Sequence, residues 1–178
     1  RSTLFPYTTL FRSQPLVLDK PRHKELIARI REAGARIQLH TDGDVAGALM
    51  AVDPASSVDM MLGTGGTPEG VLAACAIKAL GGEILARFDP QSEEELARVR
   101  DFGLDTSAVL TTDTLIRDDN VFFAATGISG GTFLGGVTYL GTGATTHSLV
   151  LRGKTGTIRR ITSTHQWDKL MRFSAIKY

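Results

Sequence analysis

The sequence predicts an α/β fold with a largely parallel sheet at its start and a more β-rich end. From Gln14 onward, short apolar runs alternate with helical patterns, which is typical of βαβ units. Beyond Gly103 the spacing of apolar residues shifts towards two, which is typical of strands joined by glycine-rich turns. No low-complexity linker separates the two parts, so we expect one domain or part of one.

The first part of the chain alternates strand and helix. Residues 16–18 are predicted as a strand, and Pro21 is placed to open the helix that follows. Residues 35–39 form the second predicted strand, and a short helix rich in alanine and leucine follows Asp44. Residues 58–62 form a third strand, apolar enough to lie at the centre of a sheet.

The clearest helix is predicted at residues 67–80. Thr67 is its candidate N-cap, Pro68 would take the first helical position, and Gly81 would end it.

A fourth strand and a further helix follow. Residues 83–88 are predicted as the strand, and residues 92–102 as a helix capped by Ser92, with Glu95 placed for a capping box. Three later strands are predicted at residues 121–125, 145–151 and 157–164.

Composition excludes several classes of protein. The formal net charge is +1 with 22% charged residues, which does not indicate a nucleic-acid or membrane surface as the main partner. A single cysteine, Cys75, excludes an internal disulfide framework and fits a reducing compartment. No apolar stretch approaches the roughly 18 residues of a membrane-spanning helix. We therefore expect a soluble, cytoplasmic protein.

The first thirteen residues differ from everything that follows. They contain Thr-Leu-Phe twice, with an Arg-Ser pair at each end, and resemble translated sequencing-adapter sequence. We interpret residues 1–13 as a non-native segment and leave them out of the fold prediction. The alternative is a genuine β-rich arm. Without Arg1 and Arg12 the chain has 18 basic against 19 acidic residues, a formal net charge of −1, so the charge argument is unaffected.

A glycine-rich loop is the most informative candidate site. Residues 63–66 (Gly-Thr-Gly-Gly) join the end of an apolar strand to the start of the clearest helix, where backbone N–H groups and the helix dipole favour an anion such as phosphate. A dinucleotide fingerprint does not fit, because its third glycine would fall at Pro68. Glu69 beside this loop would repel phosphate unless a cation such as Mg²⁺ or Mn²⁺ lay between them. The alternative is that Glu69 only interacts with the helix dipole.

Two further clusters follow the other predicted strands. A basic cluster at residues 20–23 follows the first strand, and the acidic pair Asp42 and Asp44 follows the second. Taken singly, the first is a common solvated helix start and the second a common turn. Because the carboxyl ends of parallel strands meet at one edge, the three clusters together predict a site.

Four motifs resemble, in order and spacing, those of class II fructose-1,6-bisphosphatases. They are residues 20–23 (Lys-Pro-Arg-His), 42–46 (Asp-Gly-Asp-Val-Ala), 63–71 (Gly-Thr-Gly-Gly-Thr-Pro-Glu-Gly-Val) and 119–128. The likeness covers residues 14–165, and residues 166–178 form a tail beyond it.

The resemblance implies a fold and a set of roles. It implies the layered fold of inositol monophosphatase-like enzymes, a parallel core followed by a β-rich end, and hydrolysis of the 1-phosphate of fructose 1,6-bisphosphate with Mn²⁺ or Mg²⁺ in gluconeogenesis. Some family members also accept sedoheptulose 1,7-bisphosphate. It implies that Glu69 is a metal ligand, and that the substrate-binding residues are Lys20, Pro21, Arg22, Asp42, Gly43, Asp44 and Gly66.

The family's remaining metal carboxylates, and the threonine that helps to activate water, precede the part that this chain resembles. We therefore expect no catalytic residue in the fragment, little or no activity, and instability from exposed apolar faces. The intact protein is expected to form a homo-oligomer. Two alternatives remain, a non-catalytic phosphosugar-binding half-domain and an unrelated doubly wound nucleotide binder.

Overall fold

The computed structural model describes residues 13–174, so residues 1–12 of the interpreted non-native segment and residues 175–178 of the tail lie outside it. The structure has a mixed α/β architecture with parallel and antiparallel sheets, as the sequence predicts. Among residues 13–174, no helix is both long and apolar enough to cross a bilayer.

A three-stranded parallel sheet forms the first layer. Its strands are β1 (Pro15–Leu18), β2 (Gln38–His40) and β3 (Met60–Met61), in the order β2-β1-β3. The prediction that residues 58–62 form a central strand is wrong, because β1 takes the middle and β3 pairs beside it with Met60 half exposed.

Helices pack on both faces of β1. On one side Val17 contacts α1 (Lys24–Glu32). On the other, Leu16 and Leu18 pack with Met50 at the end of α2 (Asp44–Met50). This alternation of faces buries all four residues of β1 and fixes it at the centre.

Helix α3 (Thr67–Leu80) links the parallel sheet to the rest of the fold. Its N-cap is Gly66 rather than the predicted Thr67, because Gly66 is extended (φ −68°, ψ 147°) while Thr67 is already helical. Pro68 therefore takes the second helical position. Gly81, with φ 74°, ends the helix as predicted.

The middle of the chain forms a small unit of its own. Strands β4 (Leu85–Ala86) and β5 (Leu110–Thr111) pair antiparallel, so the predicted fourth strand does not extend the parallel sheet. Between them lies α4 (Glu93–Asp101), whose N-cap Ser92 accepts the Glu95 N–H as predicted. The Glu95 carboxylate accepts from the Gln91 N–H instead of closing the capping box.

The C-terminal part is rich in strands, as predicted, and the structure shows that they form an antiparallel sheet in which β8 pairs with three other strands. The Leu149 and Leu151 side chains of β8 are fully buried against Ala76 of α3 and Leu49 of α2. The elements of this part are α5 (Thr112–Leu115), β6 (Phe122–Thr126), β7 (Thr138–Leu140), β8 (Gly143–Arg152), β9 (Thr157–Gln166) and α6 (Trp167–Leu170).

Lys78 ties α3 to the segment that follows β5. Its ammonium group contacts Asp113 at 2.9 Å, Asp119 at 3.0 Å and the Ile116 carbonyl oxygen at 2.8 Å. The hydrogen bond to Asp113, followed by that to Asp119, raises the pKa of Lys78 above its ordinary value of 10.5, while partial burial opposes the increase.

This contact predicts a loss of stability at high pH. Because the folded state holds the Lys78 proton more tightly, the stabilisation is present below the ordinary pKa of 10.5 and is lost as pH rises through the raised folded-state pKa. Thermal unfolding of the full-length protein and of its Lys78→Met variant should therefore show a difference in Tm that shrinks as pH rises above 10.5. Lys24→Met is the control for loss of a lysine. A wild-type advantage that stays constant through this range would contradict the assignment.

Candidate functional site

The basic cluster lies directly beyond β1, at one end of the parallel sheet. Pro21 opens a 3-10 turn that spans Pro21–His23 and leads into α1. The ammonium group of Lys20 contacts Asp42 Oδ1 at 2.6 Å, which joins the end of β1 to the end of β2. The Lys20 side chain is 32% exposed and that of Asp42 is 82% exposed, so the pair faces solvent at the sheet edge.

Arg22 and His23 join the same turn to the glycine loop after β3. Arg22 Nε donates to the Thr64 carbonyl oxygen at 2.7 Å. The Thr64 N–H donates to His23 Nε2 at 2.9 Å. Three consecutive strand ends are thus joined by side-chain bonds, which confirms that the three clusters meet at one edge.

A glycine with a left-handed backbone conformation separates the two acidic residues. Gly43 has φ 92° and precedes α2, so the chain reverses sharply between Asp42 and Asp44. Asp44 Oδ1 accepts the Val45 N–H, and its Oδ2 lies 3.2 Å from where a Cβ on Gly65 would stand. The Asp44 carboxylate therefore lies against the glycine loop.

Glu69 approaches the same loop from the first turn of α3. Its Oε2 occupies the space that a Cβ on Gly66 would need. The glycines at 65 and 66 therefore leave room for two carboxylates beside the N-terminus of a 14-residue helix. The two carboxylates therefore line the glycine loop from two different helices, Asp44 from α2 and Glu69 from α3.

The described residues do not form a complete metal site. Carboxylate oxygens such as those of Glu69 and Asp44 are the donors that Mg²⁺ and Mn²⁺ prefer. Residues 13–174 nevertheless contain no group of three or more His, Cys, Asp or Glu side chains that could hold a metal ion. The donor chemistry of the two carboxylates fits a hard divalent ion, but two carboxylates alone do not complete its coordination.

A cleft of about 770 Å³ opens beside the acidic turn. Its walls are Asp42 and Gly43 on one side and the segment 126–134 on the other, where Thr126, Ser129 and Thr132 contribute hydroxyl groups. A larger cavity of about 1070 Å³ surrounds Lys78 and contains none of the predicted site residues in its lining.

Comparisons with known proteins show which family this chain is similar to. Residues 13–165 match the family model described as bacterial fructose-1,6-bisphosphatase, glpX-encoded. The chain is 42% identical over 168 residues to "Fructose-1,6-bisphosphatase class 2" of Haemophilus influenzae, covering 87% of this chain and 50% of that protein. It is 42% identical over 166 residues to "Fructose-1,6-bisphosphatase 1 class 2" of Escherichia coli K12, covering 86% of this chain and 49% of that protein.

This chain belongs to the class 2 fructose-1,6-bisphosphatase family. It spans about half the length of the curated relatives that it matches. The resemblance found in the four motifs is thereby confirmed. The role of each predicted site residue, and the division at residues 13 and 165, stay predictions.

His23 belongs to the predicted basic cluster, but the sequence predicted no role for it. It is 3% exposed and bonded to backbone on both sides of its ring. One signal was available, since His23 lies four residues before Ile27 and seven before Ile30, both buried on the same face of α1. Its partner Thr64 is 41 residues away, and no local pattern indicates it.

Proposed function

We propose that the full-length protein that carries this chain hydrolyses the 1-phosphate of fructose 1,6-bisphosphate with the help of a divalent metal ion. The observation that supports this most is the meeting of a basic cluster, an acidic turn and a glycine loop with Glu69 at one sheet edge. We also infer the layered fold of inositol monophosphatase-like enzymes and a homo-oligomer for the intact protein.

Lys20 and Arg22 are proposed to bind the phosphate groups. Lys20 uses one of its three N–H donors on Asp42, and Arg22 uses Nε, one of its five, on Thr64. These bonds already hold both side chains at the sheet edge. The two cationic groups can therefore neutralise phosphate charge without first losing side-chain freedom. Pro21 fixes the turn between them.

Asp42, Gly43 and Asp44 are proposed to bind the sugar. Their turn borders the 770 Å³ cleft, and carboxylates accept hydrogen bonds from sugar hydroxyl groups. The cleft therefore offers space for a substrate beside Asp42 and Gly43, which line it. In the alternative in which the protein also accepts sedoheptulose 1,7-bisphosphate, that sugar would occupy the same cleft.

Glu69 is proposed to hold one metal ion, and Gly66 to leave room for its carboxylate. When bound, Mn²⁺ or Mg²⁺ supplies Lewis-acid polarisation of the phosphoryl oxygens and a more acidic bound water. The remaining ligands are assigned to the N-terminal half of the full-length protein. Val71 and Leu72, directly after Glu69 and its neighbour Gly70, are 40% and 53% exposed, as expected for a face that the other half would cover.

The test begins with the coding sequence upstream of Gln14. If an open reading frame rich in Asp and Glu continues there, the full-length protein should release phosphate from fructose 1,6-bisphosphate only with Mn²⁺ or Mg²⁺ present. The 178-residue chain alone should not. A full-length protein that binds the sugar bisphosphate equally well with a chelator present, and releases no phosphate, would favour the non-catalytic binding module. The cytoplasmic location expected from the sequence stays a prediction.

A further inference from the structure

His23 is a buried polar side chain whose two ring nitrogens contact two different strand ends. Nδ1 lies 2.8 Å from the carbonyl oxygen of Leu18, the last residue of β1. Nε2 lies 2.9 Å from the Thr64 amide nitrogen and 3.1 Å from the Thr64 carbonyl oxygen. The imidazole therefore bridges the end of β1 and the loop after β3.

The bonding pattern assigns one tautomer. Since a backbone N–H can only donate, Nε2 accepts from Thr64 and Nδ1 carries the proton that is donated to Leu18. The Thr64 carbonyl oxygen is satisfied by Arg22 Nε at 2.7 Å. A neutral imidazole thus completes every bond without leaving a buried charge.

The loop is shaped to receive this ring. A Cβ on Gly63 would lie 3.1 Å from His23 Cε1 and 3.2 Å from Nε2, so only glycine lets the backbone approach this closely without displacing the ring. Thr64, the next residue, also donates its hydroxyl to Asp89 at 3.1 Å. Thr64 is therefore bonded to two separate parts of the chain, the turn that contains Arg22 and His23 and the segment that contains Asp89.

We propose that His23 is a positioning residue, which fixes the distance between the Gly63–Gly66 loop and the basic cluster. The loop leads directly to Glu69, while His23 follows directly after Arg22. The bond between His23 and Thr64 therefore fixes the spacing between the proposed phosphate and metal groups. This inference rests on the proposed function, since it concerns the same site.

Two substitutions separate positioning from mere packing. In His23→Gln the amide oxygen reaches about as far as Nε2 and can still accept from Thr64, but the bond to Leu18 is lost. In His23→Asn the amide nitrogen reaches about as far as Nδ1 and can still donate to Leu18, but the bond to Thr64 is lost. His165→Asn is the matched control, because His165 bonds Thr146 within the antiparallel sheet.

The first measurement is kcat and KM of the full-length protein with Mn²⁺, well below the Tm of each variant. Loss of a residue that orients metal ligands typically costs about 10- to 100-fold, so we expect a kcat decrease of that size in His23→Asn. His23→Gln should retain most of the wild-type kcat, and His165→Asn all of it. Equal kcat values in His23→Gln and His23→Asn, with their Tm values lowered equally, would overturn the proposal.

The second measurement does not depend on turnover. Amide hydrogen exchange in the full-length protein should find the Thr64 N–H protected in wild type and His23→Gln but fast-exchanging in His23→Asn. A Thr64 amide that exchanges freely in wild type would also overturn the proposal. If exchange follows this order while the full-length protein releases no phosphate, the proposed function fails and the role of His23 in positioning the loop stands.

Discussion

Replacing Glu69 with glutamine should remove nearly all metal-dependent phosphate release from the full-length protein. The two side chains have the same shape, so the substitution removes a negative charge and little else. A lost metal ligand removes several kcal/mol of charge stabilisation, which corresponds to more than about a hundredfold in kcat/KM. The measurement is phosphate release from fructose 1,6-bisphosphate across a Mn²⁺ titration.

A control separates a metal ligand from a helix-dipole partner. Glu93 stands in the first turn of α4, far along the chain from the predicted site, and has the same favourable position relative to a helix dipole. Glu93→Gln should leave turnover unchanged, and both substitutions should change stability by less than about 1 kcal/mol. Turnover that is equally unaffected in Glu69→Gln would remove this carboxylate from the site.

Gly66→Ala should lower kcat/KM about a hundredfold, because displacing a reacting group by about 1 Å can cost that much. Gly66 has φ −68° and ψ 147°, which alanine adopts without strain, so the backbone does not oppose the change. The added Cβ would instead overlap Glu69 Oε2 and force that carboxylate away. The measurement is kcat/KM together with the apparent Mn²⁺ affinity, which should weaken in parallel.

Gly70 gives a matched control on the same helix. A Cβ at Gly70 meets no atom within 4 Å among the described residues. Gly70→Ala should therefore raise stability by about 0.5–1 kcal/mol through helix propensity, with turnover near wild type. Gly66→Ala should change stability by less than about 1 kcal/mol, since reduced chain entropy offsets the poorer N-cap. If both variants keep wild-type turnover, the space at Gly66 has no role in the site.

The sequence was sufficient to place the three clusters at one edge of a sheet. That prediction needed only the apolar runs, the prolines and glycines at their boundaries, and the fact that parallel strands end at the same edge of a sheet. The bond between Lys20 and Asp42 and the bond from Arg22 to Thr64 are its direct confirmation. The fold class was predictable for the same reason.

The order of the strands could not be predicted in this way. Residues 58–62 are strongly apolar, yet β3 is only Met60–Met61 and pairs beside β1. The central position belongs to β1 because α1 and α2 cover its two faces, so Val17 and Leu18 point into different clusters. The apolar content of a strand does not show on which face of the sheet each crossover helix packs, so it does not predict the order of the strands.

The role of His23 depends on a contact that no local pattern contains. A single histidine between Arg22 and a helix has many possible roles, and only its spacing to Ile27 indicates burial. Its acceptor role depends on Thr64, which reaches it only after the sheet has formed. Helix starts and turns depend on local residues and were predicted to within one residue at the start of α3, whereas bonds between strand ends were not predicted.

The pairing of β1 with its neighbours has a consequence for how the site appears during folding. Leu18 pairs with His40, and Leu16 pairs with Met61. A shift of one residue in either pairing would move a strand end by about 3.3 Å, longer than the bonds that join these ends. A chain in the wrong register would therefore lose these links together rather than hold a weakened site. Because the linked residues are 22 to 42 positions apart, the site should form late, after slow non-local pairing is complete.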